Sequence, residues 1–374
     1  MKSNYDVLGN HIRLIDNRNS DLVTEQVLGI NIDKFFMPSV ANVIGTDLSK
    51  YKLIQKGKFA CNPMHVGRDE RLPVALYTSD EPAIVSPAYF MFEIIDESIL
   101  NPEFLMMWFR RAEFDRVCWL HTDGSVRGGI TWDDLCRLEI PVPSMEEQLS
   151  IVKSYKSITE RIEIKKQIND NLEKSAQAYF DTLFFSKDEV NCTLADIALV
   201  NPIRPLSKGV KARCFEMATL PTSGCIPTGD MIKPYNGGVR FINGDTLIAR
   251  ITPCLENGKA AYINILKDDE VAFGSTEYIV FASKDGVPSC FYYFLIRNSK
   301  FVTFALQFMN GSSGRQRVSG EELASFSMSK PSKDDLQKFD RVGSLVLEQM
   351  KNITLEIEAL KQLQEVITTT LSSR

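Results

Sequence analysis

Pro143-Ser144-Met145-Glu146-Glu147-Gln148 and Pro331-Ser332-Lys333-Asp334-Asp335-Leu336 stand 188 residues apart and open two long helical patterns. In each, a serine precedes an acid three residues on (Glu147, Asp335), the spacing of a capping box, and acids crowd the first turn, where the helix dipole favours them. From the first start a 4-3 spacing runs Ile151, Tyr155, Ile158, Ile162, Lys165, Asn169, Leu172, Ala176, Tyr179, Leu183. The same shift gives Phe339, Gly343, Val346, Met350, Ile353, Ile357, Leu360, Gln364, Ile367 and Leu371. Heptad spacing kept over more than four repeats predicts a coiled coil, and helices of ~40 residues would be ~60 Å long. Two amphipathic helices on separate cores would give the same pattern. Pairing with each other is the stronger reading, because Lys165 and Asn169 face Ile353 and Ile357 in the matched register and a polar break in one partner fixes alignment.

The regions ahead of the helices repeat as well. Residues 123–135 correspond to 311–323 at the same shift, and Val85–Phe92 correspond to Gly274–Phe281 at a shift of 189. Turns at Gly57 and Gly244 each lead into a strand-like run. Pro102–Arg111 and Ser289–Arg297 carry helical apolar spacing, and their Phe, Tyr and Trp stripe reads as core packing rather than a base-stacking platform. The order is globular, helix, globular, helix, with boundaries expected at 1–144, 145–187, 188–331 and 332–374. Each globular half is expected to be an α+β domain with a twisted, mostly antiparallel sheet.

Composition sets the outer limits. The chain has 374 residues, 44% hydrophobic and 24% charged, enough for two or three domains with real cores. No apolar run approaches the ~18 residues of a membrane span, and the polar start at Met1-Lys2-Ser3 has no secretory pattern behind it, so a cytoplasmic protein with no membrane partner is expected. The eight cysteines form no C-x-x-C pair and read as reduced packing residues; His11, His65 and His121 are too scattered for a zinc site. A net charge of −5 argues against a small basic protein that coats DNA by bulk charge. It leaves room for a few basic loops serving one groove, with basic partner subunits gripping more of the duplex.

Catalytic patterns are missing. There is no G-x-x-x-x-G-K-[ST] loop, no G-x-G-x-x-G after a strand and no G-x-S-x-G elbow. Asn62-Pro63-Met64-His65, Asn101-Pro102-Glu103-Phe104 and Asn201-Pro202-Ile203-Arg204 begin like the Asn-Pro-Pro-Tyr box of adenine methyltransferases but lack its second proline and its aromatic residue, and read as turns. The chain is therefore expected not to be an enzyme and to hold no cofactor or metal.

In its ordered, duplicated motifs the sequence resembles the specificity subunit of type I restriction–modification enzymes. The resemblance rests on Gly274-Ser275-Thr276-Glu277-Tyr278, the Gly/Ser-rich loops ending in Arg127 and Arg315, and the Pro-Ser starts of the two helices, and it covers essentially the whole chain. Ser86-Pro87-Ala88-Tyr89 departs from the Ser-Thr-Glu-Tyr-like pattern in the first half. The resemblance implies two target-recognition domains separated by two long antiparallel coiled-coil helices, with pseudo-two-fold symmetry. Each domain would read half of a split target in double-stranded DNA, and the helix pair would set the spacing. Methyltransferase subunits would dock on that frame and carry the S-adenosylmethionine site, and restriction subunits would join the complex.

Base reading favours Arg, Lys, Asn and Gln on loops. The residues expected at DNA are His65, Arg68, Arg71 and Arg127 in the first half, and Arg250, Asn257, Lys259, Arg315, Gln316 and Arg317 in the second. Two other classes stay open: a coiled-coil protein-interaction adaptor without specific DNA binding, and an enzyme of unrecognised type.

Overall fold

The computed structural model describes residues 5–40, 45–64, 66–122, 128–186, 189–312 and 314–370. The chain divides into two compact units, Met1–Glu160 with Leu360–Arg374, and Arg161–Ala359.

In the first unit one antiparallel sheet has the order Ile12–Leu14, Phe90–Ile94, Phe59–Cys61, Val74–Leu76. A second has the order Phe36–Pro38, Val27–Ile30, Ala83–Val85, Lys52–Ile54, and its middle pair is parallel. Tyr5–Val7 pairs with Glu139–Pro141. The second unit repeats this strand for strand. Ala198–Val200, Tyr278–Ser283, Thr246–Ala249 and Ala260–Tyr262 form the antiparallel sheet. Met231–Pro234, Lys211–Phe215, Ala272–Gly274 and Val239–Phe241 form the other, again parallel in the middle. Cys192–Thr193 pairs with Ser327–Met328.

The α+β class is as expected, but each half holds two small four-stranded sheets rather than one sheet. The reason lies in the alternation of side chains along a strand. Phe59, Cys61 and Phe92 join the core formed with the helices, whereas Ala60 and Met91 join Leu28, Ile54 and Val85 of the second sheet. Ile248, Ile279 and Phe281 split from Leu247 and Val280 in the same way. The inner sheet is thus apolar on both faces, and a strand such as Phe59-Ala60-Cys61 shows no polar alternation to read.

Pro102–Phe109 and Ala112–Leu120 cover that sheet in the first unit, and Cys290–Arg297 and Ser299–Gln307 in the second. Their aromatic stripe is core. Phe109 meets the edge of the stacked Phe59 and Phe92 rings, and Tyr292, Tyr293 and Phe294 are fully buried. The Asn-Pro pairs are structural. Asn101 caps its helix, accepting from the backbone N–H groups of Glu103 and Phe104, with Pro102 opening the first turn. Asn62 accepts from Met64 N–H, and Asn201 from Val280 N–H.

The long helices span Met145–Phe184 and Lys333–Thr370. Ser144 and Glu147 form the expected reciprocal cap, and Ser332 accepts from Asp335 N–H at 3.0 Å. None of the described seam positions is fully exposed. In the first unit Ile151, Tyr155 and Ile367 pack into one cluster, and Gln364 donates to Thr159 at 2.7 Å. In the second, Asn169 donates to Thr354 Oγ1 at 3.2 Å, and Arg161 and Lys165 both reach Glu356. The helices therefore run antiparallel, and the expected facing of Asn169 by Ile357 is corrected to Met350 and Thr354. Repeat-equivalent and facing positions coincide only near the middle of an antiparallel pair. Among the described residues no helix is long and apolar enough to cross a membrane.

In the second unit the helices are part of the globular core. Phe339 is fully buried, with ring centroids 5.0 Å from Phe180, 5.2 Å from Phe294 and 5.8 Å from Phe184. Gly343, one turn on, leaves room for its ring, since a Cβ there would stand 2.7 Å from it. Phe339→Ala should lower unfolding stability by about 3–5 kcal/mol through lost burial and a residual cavity. Chemical denaturation of wild type and variant measures this directly.

Candidate nucleic-acid interface

Three segments of the second unit meet at the end of its inner sheet. They are the loop 250–259 after strand Thr246–Ala249, the turn 275–277 before strand Tyr278–Ser283, and the stretches 310–312 and 314–318 ahead of helix Gly320–Ala324. Backbone bonds stitch them together. Arg250 N–H donates to Glu277 O (2.9 Å), Val318 N–H to Arg250 O (3.0 Å), and Thr252 N–H to Gln316 O (3.0 Å). Arg317 and Asn310 exchange a reciprocal pair at 2.9 Å. The motif Gly274–Tyr278 makes the turn possible. A Cβ at Gly274 would lie 2.5 Å from the Phe215 carbonyl oxygen, to which the buried Tyr278 hydroxyl donates at 3.1 Å.

Glu277 is the electrostatic centre of this cluster. Arg317 Nε donates to both its oxygens at 3.0 Å and Nη2 to Oε1 at 2.7 Å, a planar fork on a carboxylate. The hydrogen bonds from Arg317 hold the Glu277 carboxyl below its ordinary pKa, and those to Glu277 raise that of Arg317. Arg250 comes within 4.0 Å of Glu277 Oε2 through its Nε, but that buried nitrogen makes no hydrogen bond.

The other residues expected at DNA are scattered around this centre or lie elsewhere. Arg315 is exposed, and among the described residues its side chain has no hydrogen-bond or ion-pair partner; Asn257 is exposed on the loop. Gln316 is held by its backbone, whose N–H donates to Thr252 Oγ1 at 3.1 Å. Lys259 is half-buried, with Nζ donating to Met217 O at 2.8 Å. In the first unit Arg71 is exposed and paired with Asp33 at 2.9 Å. His65, Arg127 and the Arg68 side chain lie outside the described residues. Glu277, part of the Gly274–Tyr278 motif, is a site residue that the sequence reading missed. Its signal is an acid inside a strand-entering turn, in a half whose candidate arginines 250 and 317 have no acid assigned to them.

The first unit builds the same crossing from different residues. Ile130 N–H donates to Pro63 O at 3.2 Å, the counterpart of Val318 to Arg250. The positions of Arg250, Glu277 and Arg317 are taken by Pro63, Ala88 and Gly129. All three charges are absent together, and the backbones close the gap, a Cβ at Gly129 standing only 2.8 Å from Pro63 O. Among the described residues no group of three His, Cys, Asp or Glu side chains could hold a metal ion. All eight cysteines are free thiols, six of them buried.

Residues 75–174 match the family described as type I restriction modification DNA specificity domain. The chain is 37% identical over 83 residues to the EcoAI type I restriction enzyme specificity subunit of Escherichia coli, covering 22% of this chain and 14% of that one. It is 27% identical over 161 residues to the HindI specificity subunit of Haemophilus influenzae, covering 42% and 34%. The aligned stretches thus span about a third or less of these curated relatives. The type I restriction–modification S subunit from M. genitalium superposes over 98% of this chain and 95% of its own, with a TM-score of 0.58 at 14% identity, a likeness of fold. The resemblance read from the repeated motifs and the α+β architecture with two long helices are borne out.

The Glu277 carboxylate has a folded-state pKa below its unfolded one, so its contribution is full above about pH 4.3 and fades as pH falls through the folded value. Hydrogen exchange of residues 314–318 should therefore stay slow at pH 6 and quicken, relative to the intrinsic rate, only below about pH 4. Arg317→Lys, which cannot form the fork, should quicken it already at pH 6.

Proposed function

We propose that this chain, which carries a type I restriction–modification DNA specificity domain within residues 75–174, is the sequence-reading, non-catalytic subunit of such a complex. Each unit reads one half of a split target in double-stranded DNA, in the major groove where donor and acceptor patterns distinguish all four base pairs. The observation that carries this reading is the duplication itself. The strand order of each half is the same, while the side chains on the equivalent loops differ, with Arg250, Glu277 and Arg317 standing against Pro63, Ala88 and Gly129. A common frame carrying unlike loops suits two similar partner surfaces and two different half-sites.

The long helices set the half-site spacing and take the methyltransferase subunits. They keep apolar side chains in solvent at Leu149, Ile164, Ile168, Leu345 and Leu355, with Ile164 56% and Leu345 63% exposed. Large apolar side chains repeated along a helix pair fit a partner better than water. Those partners bring the S-adenosylmethionine site for adenine methylation, and restriction subunits add translocation and cleavage. With a net charge of −5, the chain relies on them for much of the grip on phosphate. The complex acts in the cytoplasm.

Co-expression with the methyltransferase partner, followed by mapping of methylated adenines, tests the proposal. Methylation at a split target is expected only when both proteins are present. Exchanging residues 1–144 for those of another specificity subunit should retarget one half-site and leave the other unchanged. Binding without sequence preference, or no co-purifying methyltransferase, would instead favour an adaptor that recognises proteins.

A further inference from the structure

We infer that Glu277 is a positioning residue that holds Arg317 and Arg250 for DNA recognition by the second unit alone, and that Arg250 contacts a guanine in the half-site read by that unit. This rests on the function proposed above. Three observations carry it.

First, both carboxylate oxygens of Glu277 are engaged by Arg317. Arg250 Nε stands 4.0 Å from one of them without a hydrogen bond, while 31% of the Arg250 side chain is exposed and, among the described residues, its guanidinium donates no hydrogen bond. The accessible edge of that guanidinium keeps its donors free for a ligand with paired acceptors. Guanine offers two acceptors, O6 and N7, spaced for a guanidinium.

Second, the segments around Arg250 are fixed. Its N–H and carbonyl are both used, toward Glu277 O and Val318 N–H, and Arg317 ties stretch 314–318 to the turn at Glu277. A guanidinium presented from a rigid backbone discriminates bases better than one on a loose loop, because less freedom is lost on contact.

Third, the two halves differ at this point and agree beside it. Position 315 and its counterpart 127 are both arginine, whereas Arg250, Glu277 and Arg317 are replaced as a set by Pro63, Ala88 and Gly129. Phosphates are the same at both half-sites and bases are not. An arginine kept in both halves suits phosphate, and a set present in one half suits sequence reading.

The test uses the full chain in complex with its methyltransferase partner, and measures binding and methylation across a library of split targets at one salt concentration. Arg250→Ala should weaken binding to the preferred target by roughly 10–100-fold and erase a guanine preference at one position of the second half-site. Glu277→Gln should erase the preference at that same position, with the first half-site read as before. Arg315→Ala should weaken all sequences alike and lower the salt dependence by about one phosphate contact. If Glu277→Gln unfolds the chain, the triple variant R250P/E277A/R317G installs the first unit's own solution and removes all three charges together. It should fold and show the same local loss. Full second-half discrimination in Arg250→Ala or in the Glu277 variants, or equal loss at both half-sites, would overturn the inference. A wild-type complex with no split-target preference would remove the function proposed above, and this inference with it.

Discussion

The structure depends on a short antiparallel sheet that must be covered on both faces. Its strands run three to six residues, too short to make a sheet stable alone. In each unit the helices bury one face and a second small sheet buries the other, so Phe59 and Phe92 look one way and Ala60 and Met91 the other. That arrangement fixes where the strand ends lie. The loops at those ends, 250–259 and 275–277, are therefore held by the core and tied to each other through Arg250 N–H and Glu277 O.

The long helices are bound into this logic rather than attached to it. In the second unit Phe180, Phe184 and Phe339 interleave with Phe291 and Phe294, so the helix seam and the domain core are one cluster. Gln148 does a related task in the first unit, where its fully buried amide accepts from Asn101 N–H and donates to the carbonyls of Ile99 and Pro143. Asn298 caps its helix and also donates to Asp181 on the central helix. Polar side chains with all their bonds inside one unit leave little rotational freedom to the helix they tie, since an unpaired buried amide is costly.

A duplicated fold allows one set of backbone contacts to carry two different sets of side chains. The bonds from Ile130 to Pro63 O and from Val318 to Arg250 O close the same loop in both halves. With the backbone carrying the loop, the side chains there are free to diverge, and they do so as a set. Removing one member of a clustered charge group strands the others, whereas removing all of them leaves a gap that glycine and proline can close.

The sequence by itself determined the duplication, the helix starts at Ser144 and Ser332, and the seam, whereas Asn101-Pro102, read as a turn, proved to be the start of a helix. The first three are local or periodic signals, written by caps and by the 3.6-residue repeat. The sequence also placed Arg250, Arg315, Gln316 and Arg317 on loops, because Gly and Ser mark loops. Only the tertiary structure decided that each half holds two four-stranded sheets, that Asn169 meets Met350 and Thr354, and that Glu277 gathers Arg317 and Arg250 from segments 40 residues and 27 residues away in the chain. A strand apolar on both faces shows no alternation to read, and facing partners in an antiparallel pair are not repeat equivalents. An ion pair between distant segments exists only once strand pairing has brought their ends together.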